Sequence, residues 1–293
     1  MESSLNRLLQ THSHLQARSF GSVIQGSKYT PEYTQYLKLP NGEIGSYFHD
    51  VPLGLNQKDQ TVNMVVEVPR WSNGKFEIST KKRFNPITQD MKKGKVRFVN
   101  NIFPFHGYIH NYGAIPQTWE DPTVESSHDG IKGLKGDNDP LDCCEIGSAV
   151  LQMGDVKKVK VLGSLALIDD GELDWKIIVI NVEDPLSTQV NNLNDVRAHF
   201  PGLLEATRKW FRDYKIPTGK PANEFAFEGE YREISETLDV IAECHQSWKK
   251  LLKEEVISEK LPETKRAGGG VSLKEKKLPD SSIPSEVQRW YYI

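Results

Sequence analysis

The chain has 293 residues, with 37 Lys and Arg against 40 Asp and Glu and a formal net charge of −3. That length allows one large or two ordinary domains with a sizeable core, and the near-balance of charge gives no electrostatic ground for a nucleic-acid partner. No apolar run approaches the roughly 18 residues a membrane-crossing helix needs, and three cysteines, two of them adjacent, make no disulfide framework, which points to a reduced, intracellular setting.

Residues 1–30 read as an N-terminal extension. There is no acidic residue from Ser3 to Pro31, while Arg7, Arg18 and Lys28 appear, and Leu5, Leu8, Leu9, His12 and Leu15 follow a helical spacing. That composition suits a mitochondrial presequence, and it equally suits a disordered extension. The expected compartment is the cytoplasm, or the mitochondrion if residues 1–20 are such a presequence.

Next come short β-rich runs, "TVNMVVEVP" at 61–69, "GKFEIS" at 74–79 and "GKVRFVN" at 94–100, followed by "VKKVKVLGSLALI" at 156–168 and "WKIIVINV" at 175–182. Gly, Pro and Asn punctuate them. Their irregular spacing predicts a compact antiparallel barrel rather than a βαβ repeat. Helical patterns follow at 192–200, at 201–215 with Leu203, Thr207, Trp210, Phe211 and Tyr214 near one face, and at 234–256. The last carries an apolar stripe of Leu238, Ile241, Ala242, His245, Trp248, Leu251 and Leu252, read as core packing. Residues 253–293 mix charges with "AGGG" and "PDSS" and end in "RWYYI", a tail whose aromatics suggest docking on the domain.

The most informative stretch is "GDNDPLDCCEIG" at 136–147, which crowds Asp137, Asp139, Asp142 and Glu145 together. Asp, Asn and Pro are turn residues, so a solvated turn is the bland explanation. An EF-hand loop fails: counting from Asp137, position 5 is Leu141, position 6 is Asp142 and position 12 is Ser148. The third explanation is a platform for Mg²⁺, which takes few carboxylates and usually sits with substrate phosphates. Asp137 and Asp139 share a face of an extended segment, and a bend at Pro140 can bring Asp142 round to them.

Two further sets accompany it. Asp169 and Asp174 flank a Gly-containing turn with Lys176 beyond, a pattern a plain hairpin also gives. Glu67, Lys75 and Glu77 form the other, with Lys75 and Glu77 pointing the same way on a strand, as an exposed strand face also does. Arg97, Lys215, Tyr214, Tyr108 and Tyr112 are candidate phosphate grips, because Arg and Lys hold phosphate oxygens and tyrosine donates to them. Cys143 and Cys144 read as buried bystanders. His106 and His110 are interrupted by Gly107 and do not read as a zinc helix.

Together these blocks resemble the family I soluble inorganic pyrophosphatases, eukaryotic type. The resemblance runs from about Tyr33 to Leu252 and rests on "NMVVEVPRWSNGKFEI", "NPITQDMKKGKVRFV", "GYIHNYGAIPQTWEDP", "GDNDPLDCCEIG", "DDGELDWKIIVINVEDP" and "WFRDYKIPTGKPANEFAF". It implies one pyrophosphatase domain over 31–252, mainly β with flanking α-helices (α+β), built on an OB-like five-stranded barrel. It implies Asp137, Asp142 and Asp174 as direct metal ligands, with Asp169 and Glu77 serving further metals. Asp139 would orient or deprotonate the attacking water, with Arg97, Tyr112 and Lys176 as further catalytic groups. Lys75, Arg97, Tyr112, Tyr214 and Lys215 would grip phosphate oxygens, supported by Glu67, Asp90 and Tyr108. One departure is Leu173, where family members commonly carry Thr.

The implied cofactor is Mg²⁺, several ions per site, with Mn²⁺, Co²⁺ or Zn²⁺ able to substitute. The partners would be pyrophosphate, phosphate and a second copy of the chain, with neither nucleic acid nor membrane. Pyrophosphate is a polyanion that carboxylates alone would repel. Divalent ions invert the local field and lower the pKa of a shared water from ~15.7 toward neutrality. The expected chemistry is direct in-line attack by a metal-bridging hydroxide, without a phosphoenzyme. Two other classes compete: an OB module that binds nucleic acid without hydrolysis, and a phosphatase with an aspartyl-phosphate intermediate, disfavoured because "IKGLKG" and not an apolar strand precedes Asp137.

Overall fold

In the computed structural model, which describes residues 20–293, the longest hairpin turns at Asp170–Gly171, whose φ angles are 51° and 93°. Positive φ at both turn positions matches the right-handed twist of the flanking strands, and Asp-Gly adopts it readily. The predicted helix-spaced run Leu5 to Leu15 lies outside the described residues.

The strands in chain order are β1 (Gly21–Gly26), β2 (Thr34–Lys38), β3 (Ile44–Gly45), β4 (Thr61–Val68), β5 (Phe76–Ile78), β6 (Ile87–Gln89), β7 (Met91–Lys92) and β8 (Lys95–Val96). They continue as β9 (Asn101–Ile102), β10 (Asn111–Ala114), β11 (Asp142–Glu145), β12 (Val156–Asp169), β13 (Glu172–Asn181), β14 (Glu224–Phe225), β15 (Lys276–Lys277) and β16 (Trp290–Tyr291). The helices are α1 (Leu193–His199), α2 (Leu203–Asp213) and α3 (Ile234–Leu252).

Strands β13, β11, β10, β4 and β12 pair in that order, and β12 pairs back to β13, so five strands close on themselves. The 14-residue β12 makes closure possible, because Val156–Lys160 pair with β4 while Val159–Asp169 pair with β13. The β12–β13 register slips between Val161 and Gly163, a bulge that bends the strand. A Cβ on Gly163 would stand 2.7 Å from the Arg232 carbonyl oxygen, so the bend tolerates no side chain. Among the pairings within the ring only β11–β13 is parallel. The fold is mainly β with flanking helices on an OB-like barrel, as the resemblance implies.

Both faces of the barrel wall are buried. Val62, Met64, Val66, Cys143, Ile177 and Val179 join one apolar cluster with Ile241 of α3. The alternate residues Val65, Val68, Cys144, Ile178 and Ile180 join another with Trp210 and Phe211 of α2. Helix α1 starts where Asn192 accepts hydrogen bonds from the Asn194 and Asp195 N–H groups. Helix α3 buries Ile241, Trp248 and Leu251 of the expected stripe, together with Thr237, while Leu238, Ala242, His245 and Leu252 are half-buried.

A second sheet, β15–β1–β2–β6–β5 with β3 beside β2, lies outside the ring. Strand β1 falls in the stretch the sequence sets apart as an extension, and it is paired along its length with β2. The tail enters two sheets outside the ring: β15 pairs with β1, and β16 pairs with β9. The predicted strand at 94–100 is broken up; only Lys95 and Val96 form a ladder, and Phe98 bridges Gly74. No helix among the described residues is long and apolar enough to cross a membrane.

Candidate active site

The barrel's strand ends and the loops beside them converge on one cavity of about 100 Å³. Strand β4 sends in Glu67, β10 sends Tyr112, β11 begins with Asp142, β12 ends with Asp169, and β13 contributes Asp174 and Lys176. Asp174 and Lys176 are two apart on one strand and so share a face, and Asp142 is in register with Lys176 across the parallel β11–β13 pair. The loop before β11 adds Asp137 and Asp139, Lys75 just before β5 and Glu77 within it join them, and Arg97, Tyr108 and Tyr214 complete the wall. Asp90 and Lys215 stand just behind it. Asp90 accepts a hydrogen bond from Arg97 at 2.9 Å, and Lys215 donates to Asp169.

Seven carboxylates and three cations line this cavity. Lys176 is the internal counterion: its Nζ donates to Asp142 at 2.5 Å, to Asp174, and to the Tyr112 hydroxyl at 2.9 Å. The Tyr112 hydroxyl in turn donates to Asp142. Burial works to lower the Lys176 pKa, but Asp142 and Asp174 outweigh it and hold the ammonium charged. On the opposite wall Lys75 donates to Glu77 at 2.6 Å and lies 3.6 Å from Asp90. Burial again opposes the charge, and Glu77 overcomes it.

The acidic groups have too few partners. Burial, then Asp139 and Asp142, push the Asp137 carboxyl well above the usual range. Burial and then Glu77 do the same for Asp139. Asp174 is raised chiefly by burial, against the opposing pull of Lys176. Glu67 is raised by burial and then by Asp142, although its Oε1 accepts the Ile78 N–H at 2.7 Å. Tyr108, raised by burial to about 12, stays a hydrogen-bond donor at neutral pH.

Glu120, from "QTWEDP", is the residue that sequence reasoning missed. It is 3 % exposed, and one oxygen each of Glu120, Asp137 and Asp174 all lie within 4.8 Å of one another. An all-oxygen carboxylate set suits a hard divalent cation, and such ions bind oxygens at roughly 2.0–2.6 Å. The side chains therefore fit a metal of that class, and a cation is what the excess of buried acid lacks.

The bystanders are placed. Cys143 and Cys144 are buried on opposite faces of β11, and burial pushes both thiols up, away from nucleophilic thiolate. His110 sits 2.7 Å from the Thr207 hydroxyl, and burial lowers it to about 3; His106 contacts the Trp71 carbonyl at 3.0 Å. Leu173 donates its backbone N–H to the Lys135 carbonyl at 2.7 Å, so main chain ties β13 to the acidic loop.

A closed barrel whose mouth sets clustered acids beside Lys, Arg and Tyr defines a class of enzyme that handles phosphate anions through divalent cations. The comparisons with known proteins agree. The inorganic pyrophosphatase family model matches residues 64–249. The mitochondrial inorganic pyrophosphatase of Saccharomyces cerevisiae is 60% identical over 296 residues, covering 99% of this chain and 96% of that protein. The solved inorganic pyrophosphatase of Schistosoma japonicum superposes with a TM-score of 0.86 at 40% identity, covering 93% of this chain and 100% of the other. A truncated vacuolar soluble pyrophosphatase of Trypanosoma cruzi, solved in complex with PPi, superposes at 0.71 with 39% identity, covering 80% of this chain and 91% of the other. The chain belongs to the family I inorganic pyrophosphatases and is an inorganic diphosphatase.

Proposed function

We propose that this cavity hydrolyses pyrophosphate to two orthophosphates with Mg²⁺, by direct in-line attack of water and without a phosphoenzyme. The observation that carries the reading is the surplus of seven carboxylates over three cations around a space of about 100 Å³. Such a lining repels a polyanion until divalent ions enter. Asp137, Asp142 and Asp174 would hold Mg²⁺ directly, with Asp169 and Glu77 serving further ions. When bound, Mg²⁺ supplies charge neutralisation and lowers the pKa of water from ~15.7 toward neutrality. Asp139 orients the attacking water and takes its proton. Arg97, Lys75, Tyr112, Tyr214 and Lys215 hold phosphate oxygens in line, while Glu67, Asp90 and Tyr108 support the site, Asp90 by accepting from Arg97. Lys176 keeps Asp142 and Asp174 together and counters charge on the leaving phosphate. Buried, protonated thiols at Cys143 and Cys144 leave water as the nucleophile.

Phosphate release from pyrophosphate with Mg²⁺, beside an EDTA control, tests this. Release is expected only with the metal. No Mg²⁺-dependent release sinks the proposal, and salt-dependent binding of RNA without hydrolysis would favour the binding-module alternative.

For compartment, the S. cerevisiae relative is named mitochondrial, and the stretch from Ser3 to Pro31, which carries Arg7, Arg18 and Lys28 and no acidic residue, favours the same address over the cytoplasm. We infer mitochondrial residence. A fluorescent protein fused behind residues 1–30 should colocalise with mitochondria, and a diffuse signal would refute it. A homodimer is the proposed assembly, supported by an exposed aromatic patch around Trp71 and Trp290.

A further inference from the structure

We propose that Glu120 sets the metal affinity of the site, by adding a third carboxylate to the cation subsite between Asp137 and Asp174. This rests on the metal-dependent reading above and assigns a role to a residue that reading does not use.

Three contacts fix Glu120 between the two acidic segments. Its N–H donates to the Asp139 carbonyl at 2.9 Å, and its own carbonyl accepts the Asn138 N–H at 3.0 Å. Its Oε1 accepts the N–H of Trp175, the residue between Asp174 and Lys176, at 3.1 Å. A Cβ on Gly136 would come 2.4 Å from the Glu120 carbonyl, so the acidic loop lies directly against the Glu120 backbone. The side chain is therefore held by both acidic segments at once.

The remaining oxygen, Oε2, is buried and has no hydrogen-bond partner among the described residues. Burying a carboxylate oxygen without a partner is costly. Here it is one carboxylate of a cluster whose other members, Asp137 and Asp174, lie within 4.8 Å. A divalent ion bound at roughly 2.1 Å spans about 4.2 Å between opposed oxygens, so modest closure around an ion would satisfy Oε2 and gather the cluster. A role in fold alone would need only the Trp175 contact and would leave the second oxygen unexplained.

Glu120→Gln separates the two functions, because its amide oxygen can still accept from Trp175 while the charge is gone. Calorimetric Mg²⁺ titration of the resting protein, without pyrophosphate, should show a dissociation constant raised at least about tenfold. The Mg²⁺ concentration giving half-maximal phosphate release should rise by a similar factor. Glu120→Asp keeps a charge in the cluster and should bind Mg²⁺ more tightly than Glu120→Gln. Wild-type affinity in Glu120→Gln, or equal weakening in the two variants, overturns the proposal while leaving the pyrophosphatase reading intact. Failure of the wild-type protein to bind Mg²⁺ overturns both.

Discussion

Asp139 is held by its backbone and free at its side chain. Its N–H donates to Asp137 Oδ1 at 3.0 Å and its carbonyl accepts from Glu120, while its carboxyl faces the cavity. Burial and Glu77 raise the pKa of this carboxyl, so its ionised form holds a proton more strongly than an ordinary aspartate does. Asp139→Asn should therefore lower turnover by roughly 10²–10⁴-fold, a range typical of lost general-base catalysis. Its Mg²⁺ affinity should change only a few-fold, because its backbone contacts persist. Phosphate release and calorimetry measure the two separately. The aspartates were legible in the sequence because so many acids in so short a run require an explanation. Glu120 was not, because a single Glu ahead of Asp-Pro carries no spacing signal and its side-chain partner, Trp175, lies 55 residues away.

At the scale of elements, one histidine joins helix to tail. His49 Nδ1 accepts the Trp248 Nε1–H of α3 at 2.9 Å, and Nε2 donates to the Glu263 carbonyl at 3.0 Å. That pattern needs the neutral ring. Burial lowers its pKa from 6.5 to about 4, and Arg266 adds to this, while the Glu263 carbonyl, Asp50 and the Glu263 carboxylate oppose. Because the unfolded chain binds this proton more readily, the contribution is full above the ordinary histidine value. It falls as pH drops through the window toward 4, by about 3 kcal/mol in all. Urea unfolding at pH 7.5 and at pH 5 should show a larger acid loss in wild type than in His49→Gln. Helices α1–α3 were readable because a proline boundary at Pro201 and a 3.6-residue stripe are local signals. Short strands such as β9 and β16 were not. Two residues carry no period, and each strand exists only because a distant segment pairs with it.

At the scale of the whole molecule, an exposed aromatic surface among the described residues suits the proposed partner copy. Trp71 is 58% exposed and Tyr292 80%. His106 links Trp71 to Trp290, with a ring nitrogen on the Trp71 carbonyl and its ring centroid 6.0 Å from that of Trp290, and Phe103 packs against both Trp290 and Tyr292. A contiguous aromatic patch with Arg70 beside it has the composition of an interface core. Trp71→Ala should weaken the proposed dimer by at least roughly tenfold, a loss typical of a central tryptophan. Light scattering across a dilution series would register it, and a wild-type protein that is monomeric at all concentrations would refute the dimer.

Lys176 has a consequence for how the enzyme is made. An ammonium group carried by the polypeptide already bridges two of the acids on neighbouring strands. A tethered cation of this kind should let the nascent barrel finish closing in a magnesium-poor environment. Chelation should consequently silence turnover while leaving a cooperative melt and an unchanged far-ultraviolet spectrum, and restored Mg²⁺ should revive activity without any refolding delay.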